Sequence, residues 1–259
     1  MLYNLAYLLV RLILGFFFRV DVVGEENVPD GACLVVSNHL SWTDTIFIAY
    51  ALPRLPKLHT MANRATVFDR PWKRWLMPKF ALFPVTRQRG YLDEEAVETV
   101  YQLLQSGERV LIFPEGAYGK DGRLRPLKEG VGHFAINSGK QLLPVSVRGT
   151  ARLRPFSRVT IVIGPPFIPA VPAWWDLKRG VGAVVATVAT ALSRLSSSRP
   201  RRPLLRRVWD LRLRRTPAAQ PVVVPVAEAP LGRPAEVGGV VVSDSEVDGQ
   251  QSGSQQSQP

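Results

Sequence analysis

Short apolar runs alternate with longer amphipathic ones along most of the chain. The runs Arg19–Val23, Ala32–Ser37, Lys57–Met61, Leu82–Thr86, Arg109–Phe113, Leu142–Val147 and Val159–Ile163 are rich in Val, Ile and Leu and bounded by polar or turn residues, which predicts strands. Helical spacing predicts helices over Thr43–Leu52, Pro71–Met77, Asp93–Gln105, Lys128–Ser138 and Ala173–Leu195. Strands that are apolar without alternation are covered on both faces, and strands that alternate with helices build a parallel sheet. Residues 19–198 therefore read as one α/β domain with a mostly parallel central sheet flanked by helices.

The first eighteen residues have a different pattern. At helical spacing Asn4, Tyr7, Arg11 and Gly15 share one face, and Leu, Ile and Phe fill the other. An arginine in the middle of a spanning helix costs about 2.5–3.5 kcal/mol. Residues 1–18 are therefore expected to form an amphipathic helix lying in a membrane interface. The competing expectation is a helix packed on the protein's own core. A secretory signal would show a basic start and a small-residue cleavage site, and this segment has neither.

Charge divides the remainder. The chain of 259 residues carries 33 Lys and Arg against 21 Asp and Glu, a net of +12 that calls for an anionic partner. Residues 199–215 hold eight arginines and one aspartate. Leu204, Leu205, Val208, Trp209 and Leu211 interleave with them, as in a basic amphipathic segment that meets anionic lipid. No recognised nucleic-acid motif accompanies these arginines, so a phospholipid membrane is the expected partner and nucleic acid is not. Residues 216–259 are net acidic, lack aromatic residues and show no sustained period, which predicts a disordered tail. The single cysteine, Cys33, excludes an intrachain disulfide, and three scattered histidines make a metal site unexpected. The expected location is the cytoplasmic face of a membrane.

In α/β sheets chemistry collects where strands end. After the strand ending at Ser37 come His39 and Asp44, five residues apart. They meet only if His39 sits on the turn and Asp44 in the first turn of the next helix. With Ser41 as N-cap, Asp44 falls at the third helical position and can serve as half of a capping box. Alternatively its carboxylate orients the imidazole, which then takes a proton from a substrate hydroxyl. No Gly-x-Ser-x-Gly elbow is present and Cys33 lies within a strand, so no protein nucleophile is evident. Other strand ends carry Phe113-Pro114-Glu115-Gly116, Phe83-Pro84-Val85-Thr86-Arg87 and Leu143-Pro144-Val145. Arg87 can grip a phosphate there or be a solvated surface arginine.

Together, and in this order, these segments resemble the glycerolipid acyltransferase family typified by 1-acylglycerol-3-phosphate acyltransferase, over roughly residues 23–169. The family's signature is Asn-His, four residues and Asp, then an arginine block, Phe-Pro-Glu-Gly and a Pro-Val strand. The resemblance implies His39 as general base, Asp44 as its orienting partner and Arg87 on the acceptor's phosphate. It implies further that Glu115 and Gly116 shape the acceptor site and that Pro144 belongs to the acyl side. The implied reaction moves a fatty acyl group from acyl-CoA or acyl-carrier protein to the hydroxyl of lysophosphatidate, giving phosphatidate, without metal or prosthetic group. Where the family usually continues Phe-Pro-Glu-Gly with Thr-Arg, this chain has Ala117-Tyr118. Lys120, Arg123 or Lys128 then stand as candidates for the missing charge. Another lysophospholipid or a glycolipid is the alternative acceptor. A noncatalytic lipid- or nucleic-acid-binding protein is the alternative from a different class.

Two weaker patterns carry nothing. Gly130-Val131-Gly132 comes after no predicted strand, and Gly139-Lys140 lacks the rest of a phosphate-binding loop. His59 is expected to be a strand histidine with a structural partner, and His133 a packing residue.

Overall fold

The computed structural model describes residues 2–53, 55–88, 91–119, 124–198 and 220–226. The chain begins with α1 (Leu2–Phe17), β1 (Arg19–Val23), β2 (Cys33–Ser37), α2 (Asp44–Ala51) and β3 (Leu58–Asn63). Next come α3 (Arg64–Val67), α4 (Pro71–Leu76), β4 (Leu82–Val85), β5 (Arg87–Gln88), β6 (Tyr91–Leu92), α5 (Glu94–Gln105) and β7 (Arg109–Ile112). The remaining elements are α6 (Gly130–Ser138), β8 (Gln141–Arg148), β9 (Arg158–Ile163), β10 (Phe167–Ala170), α7 (Leu177–Ser197) and β11 (Val222–Pro225).

The main sheet runs β1-β9-β8-β2-β7-β3-β4. Neighbours are parallel except at β8, which pairs antiparallel with β9 and touches β10 in the same sense. The expected mostly parallel α/β sheet is therefore present, with a mixed region around β8. Strand β2 shows why both faces are apolar. Leu34 and Val36 enter one cluster with α5, α6 and α7. Cys33 and Val35 enter the other, with Phe47 and Ile48 of α2 and Leu14 of α1. Successive side chains point to opposite faces, so a strand between two helical layers has to be apolar at every position.

Helix α7 is long and apolar enough to cross a bilayer. It buries Ala183, Val184, Val188 and Leu192 in the first cluster instead. Its start is later than the predicted Ala173, because Asp176 caps it by accepting from the Arg179 amide at 2.7 Å. At the opposite end of the sheet from the C-terminal strand ends, Arg109 is 1% exposed. Its guanidinium donates to the carbonyls of Pro53, Pro56 and Pro29. Burial lowers the pKa of Arg109, and three carbonyls meet its donors.

Two expectations change. The α/β domain was expected over 19–198 and residues 216–259 as a disordered tail, yet Val222–Pro225 pairs parallel with β10. Val226 is buried in the core beyond it. Three successive valines suit a sheet edge, and the proline that ends the strand, Pro225, is tolerated there. Residues 199–219 and 227–259 lie outside the described residues. His59 was expected to have a partner, but its Nε2 is buried with none among the described residues.

Helix α1 is docked on the protein's own core, where Leu14 is buried. Its polar face turns inward: the Tyr7 hydroxyl donates to the Leu52 carbonyl at 2.9 Å. Arg11 donates to Tyr7 Oη at 2.9 Å and to the Tyr50 carbonyl at 3.2 Å. Its apolar face turns out, leaving Leu5, Leu8, Leu9, Leu12, Ile13 and Phe16 exposed.

Candidate active site

Strands β2 and β7 are parallel neighbours, with Val36 opposite Ile112. Their C-terminal ends therefore lie side by side, and segments 38–44 and 113–119 leave the same sheet edge together. Asn38 anchors the first segment. Its side-chain amide donates to the Val147 carbonyl at 2.9 Å and its Oδ1 accepts from the Val147 amide at 2.8 Å, extending the sheet ladder by a side chain.

Beyond it His39 Nδ1 lies 2.9 Å from Asp44 Oδ2. That same oxygen accepts from the Leu40 amide at 2.6 Å and the Ser41 amide at 2.8 Å. The Thr150 hydroxyl donates to Oδ1. An oxygen that already receives two backbone amides is an acceptor, so Nδ1 carries the imidazole proton and Nε2 presents its lone pair. Nε2 has no partner among the described residues. Asp44 is 0% exposed and the His39 side chain 15%, so the pair is dry behind and open in front.

The capping reading and the pairing reading of Asp44 thus hold together in part. Ser41 is not the N-cap: Thr43 holds that position, and α2 begins at Asp44. The Ser41 amide still binds the carboxylate, because the turn 40–43 wraps around it.

Segment 113–119 closes on the histidine from the other side. The Phe113 ring stacks on the imidazole, with centroids 3.7 Å apart and planes at 11°. The Tyr118 ring meets it edge-on at 4.4 Å and 62°. Glu115 is buried; its Oε1 accepts from the His39 amide at 2.8 Å and its Oε2 from the Arg125 amide at 2.8 Å. The Gly119 amide donates to the His39 carbonyl at 2.7 Å. Both backbone groups of His39 are therefore held by one loop. Gly116 turns that loop at φ +71°, a left-handed conformation in which a side chain is strained.

Of the other predicted residues, Arg87 sits in β5, two residues past β4, in a hairpin with β6; only its backbone is described. Lys120 and Arg123 lie outside the described residues. The Lys128 amide donates to the Pro114 carbonyl at 2.9 Å, and its side chain is exposed. Pro144 lies inside β8 opposite Val36, its carbonyl taking the Gly164 amide at 2.8 Å. It is a buried sheet residue, not part of the cluster around the imidazole.

Sequence reasoning missed Thr150 and Arg125, and it read Tyr118 only as a departure. Thr150 comes directly after Gly149, whose φ of +94° and 2.2 Å approach of a would-be Cβ to the Arg158 carbonyl admit only glycine. Such a Gly-Thr step after a strand is the one local signal for it. Cys33 is no rival nucleophile, since burial pushes its thiol pKa up to about 12. Among the described residues no group of three His, Cys, Asp or Glu is placed to hold a metal.

Comparison with known proteins accords with this geometry. A chloroplastic 1-acyl-sn-glycerol-3-phosphate acyltransferase of Brassica napus is 31% identical over 54% of this chain and 40% of its own length. A Bacillus subtilis protein of the same name is 26% identical over 73% of this chain and 94% of its own length. The chain thus spans under half the length of the chloroplastic relative. The crystal structure of the 1-acyl-sn-glycerophosphate acyltransferase of Thermotoga maritima shares the fold, with a TM-score of 0.57 at 22% identity over 77% of this chain and 83% of that one. The family pattern described as Acyltransferase matches residues 19–148, which hold β1, the His39–Asp44 pair, Glu115 and β8, and the chain belongs to that acyltransferase family.

Proposed function

We propose that this chain transfers a fatty acyl group from acyl-CoA or acyl-carrier protein to the hydroxyl of lysophosphatidate, at the cytoplasmic face of a membrane. The observation that carries the reading is His39, fixed by Asp44 through Nδ1 and open at Nε2. Nε2 takes the proton of the acceptor hydroxyl as its oxygen forms a bond to the thioester carbonyl carbon. The C–S bond then breaks, and the departing thiolate takes the proton back from the imidazolium. No bond to the protein forms, in keeping with the absence of an activated nucleophile among the described residues.

Glu115 holds the backbone of His39 and carries the loop that walls the acceptor. By resemblance to the family Arg87 is assigned to the acceptor's phosphate, and Lys128 is a candidate for further charge near it. The names of the relatives support lysophosphatidate as acceptor. The Tyr118 ring in place of a cation favours a second reading, an acceptor with a different head group.

The outward apolar face of α1 supports a membrane location. Exposed Trp72 and Trp75 of α4 carry Lys73 and Lys79 over their rings, a pairing suited to an anionic lipid interface.

Thiol release from acyl-CoA with lysophosphatidate, monoacylglycerol and a choline lysophospholipid tests the proposal. Release that depends on lysophosphatidate, and that drops about 10²- to 10⁴-fold in His39→Ala, supports it. Acceptor-independent release, or a folded His39→Ala protein with full turnover, removes it.

A further inference from the structure

The buried Glu115 carboxylate does more than hold His39. Its two oxygens join the amides of His39 and Arg125, so a single side chain sets the distance between the two backbones. Leu124 and Leu127 pack against the core on either side of Arg125, and the Lys128 amide is tied to Pro114. The main chain under Arg125 is thus fixed on both sides while its side chain is exposed.

That side chain reaches the loop that borders the site. Nη1 donates to the Tyr118 carbonyl at 3.3 Å, and the Tyr118 ring lies 4.4 Å from the His39 ring. A guanidinium has five N–H donors in a planar fork, and one bond to a carbonyl leaves the rest to be shared with a ligand. No described carboxylate forms an ion pair with Arg125. Lys128, exposed on the same segment, has no such tie to a residue that touches His39.

We propose that Arg125 grips the anionic head group of the acceptor, with Tyr118 as the wall between that grip and His39. The proposal rests on acyl transfer to a lipid hydroxyl and adds which residue of this chain reads the charge next to it. The fork suits a phosphate, whose oxygens accept two parallel bonds.

The test compares lysophosphatidate with monoacylglycerol bearing the same chain, using the full-length protein in detergent micelles. Arg125→Gln should lower the ratio of kcat/KM for lysophosphatidate over monoacylglycerol roughly 10- to 150-fold, mainly through KM. Arg125→Lys, which keeps charge but loses the fork, should recover part of it. Equal loss on both acceptors, or a loss confined to kcat, would overturn the proposal and leave Arg125 a brace for the Tyr118 loop.

Titration of the two lipids without donor separates this inference from the reaction itself. If the unaltered protein prefers lysophosphatidate and Arg125→Gln loses that preference, the grip stands even where no acyl group is transferred. If the unaltered protein binds both lipids alike, the grip is refuted whatever the turnover.

Discussion

Thr150 and Asp44 are 106 residues apart in sequence, yet the Thr150 hydroxyl donates to Asp44 Oδ1 in the buried floor of the site. The bond satisfies the one carboxylate oxygen that His39, Leu40 and Ser41 leave over. Thr150→Val keeps the shape and removes the donor, so Oδ1 is buried without a partner, at a cost of about 1–3 kcal/mol. Denaturant midpoints should show that loss. Turnover should fall too, because the carboxylate that orients the imidazole is free to tilt. Thr150→Ser should restore both. A Thr150→Val protein as stable and as fast as the original would reduce the bond to an incidental contact.

The parallel sheet, its flanking helices and the pairing of His39 with Asp44 were legible from apolar runs and from spacing. Both depend on local sequence: which strands are apolar at every position, and which residues come directly after each strand end. Thr150 was not legible, because β8 reaches the site only through its register beside β2, with Ser37 opposite Val145. The β11 edge strand was hidden for the opposite reason. Its valines look like a strand, but its flanking prolines and distance from the domain look like tail. The inward polar face of α1 could not be inferred from amphipathicity, which gives two faces and does not say which one meets protein.

Tyr118 should matter to rate more than to affinity. Its ring is one of two that confine the His39 imidazole, and aromatic contacts of this kind contribute about 0.5–1.5 kcal/mol. Tyr118→Ala should therefore lower kcat roughly 2- to 12-fold by conversion at about 1.4 kcal/mol per decade. Tyr118→Phe, which keeps the ring, should stay close to the original. If Phe is as slow as Ala, the hydroxyl and not the ring is what the reaction uses.

The outward face of α1 gives a prediction about membrane binding. Phe16 is 73% exposed and Leu5 64%, large values for side chains whose transfer out of water is favourable by about 1.5–3 kcal/mol each when complete. Leu5→Glu combined with Leu9→Glu should weaken flotation with anionic vesicles well beyond the change caused by added salt. The inward bonds of Tyr7 and Arg11 remain, so the helix stays docked and the melting temperature should move little. Unchanged flotation would assign lipid contact elsewhere on the protein.

The half-buried imidazole of His59 makes stability depend on pH in a stated direction. Burial, the larger cause, holds its pKa below the ordinary 6.5; Glu108 pulls the other way and Lys57 adds to the lowering. In the unfolded chain the group titrates near its ordinary value. Between the two values the unfolded state binds a proton that the folded state does not, so stability is complete above about pH 6.5 and falls as the pH drops through that window. Below the folded-state value both forms are protonated and the loss stops growing. Carboxylates elsewhere add an acid slope of their own, so the measurement is a difference between two proteins. His59→Phe removes the titration and also the buried Nε2 that lacks a partner. Denaturation curves between about pH 5 and 7 should therefore diverge, the variant gaining on the original as the pH falls, by up to about 1.4 kcal/mol per pH unit for one proton. Parallel curves across that range would show that His59 carries the same proton in both states.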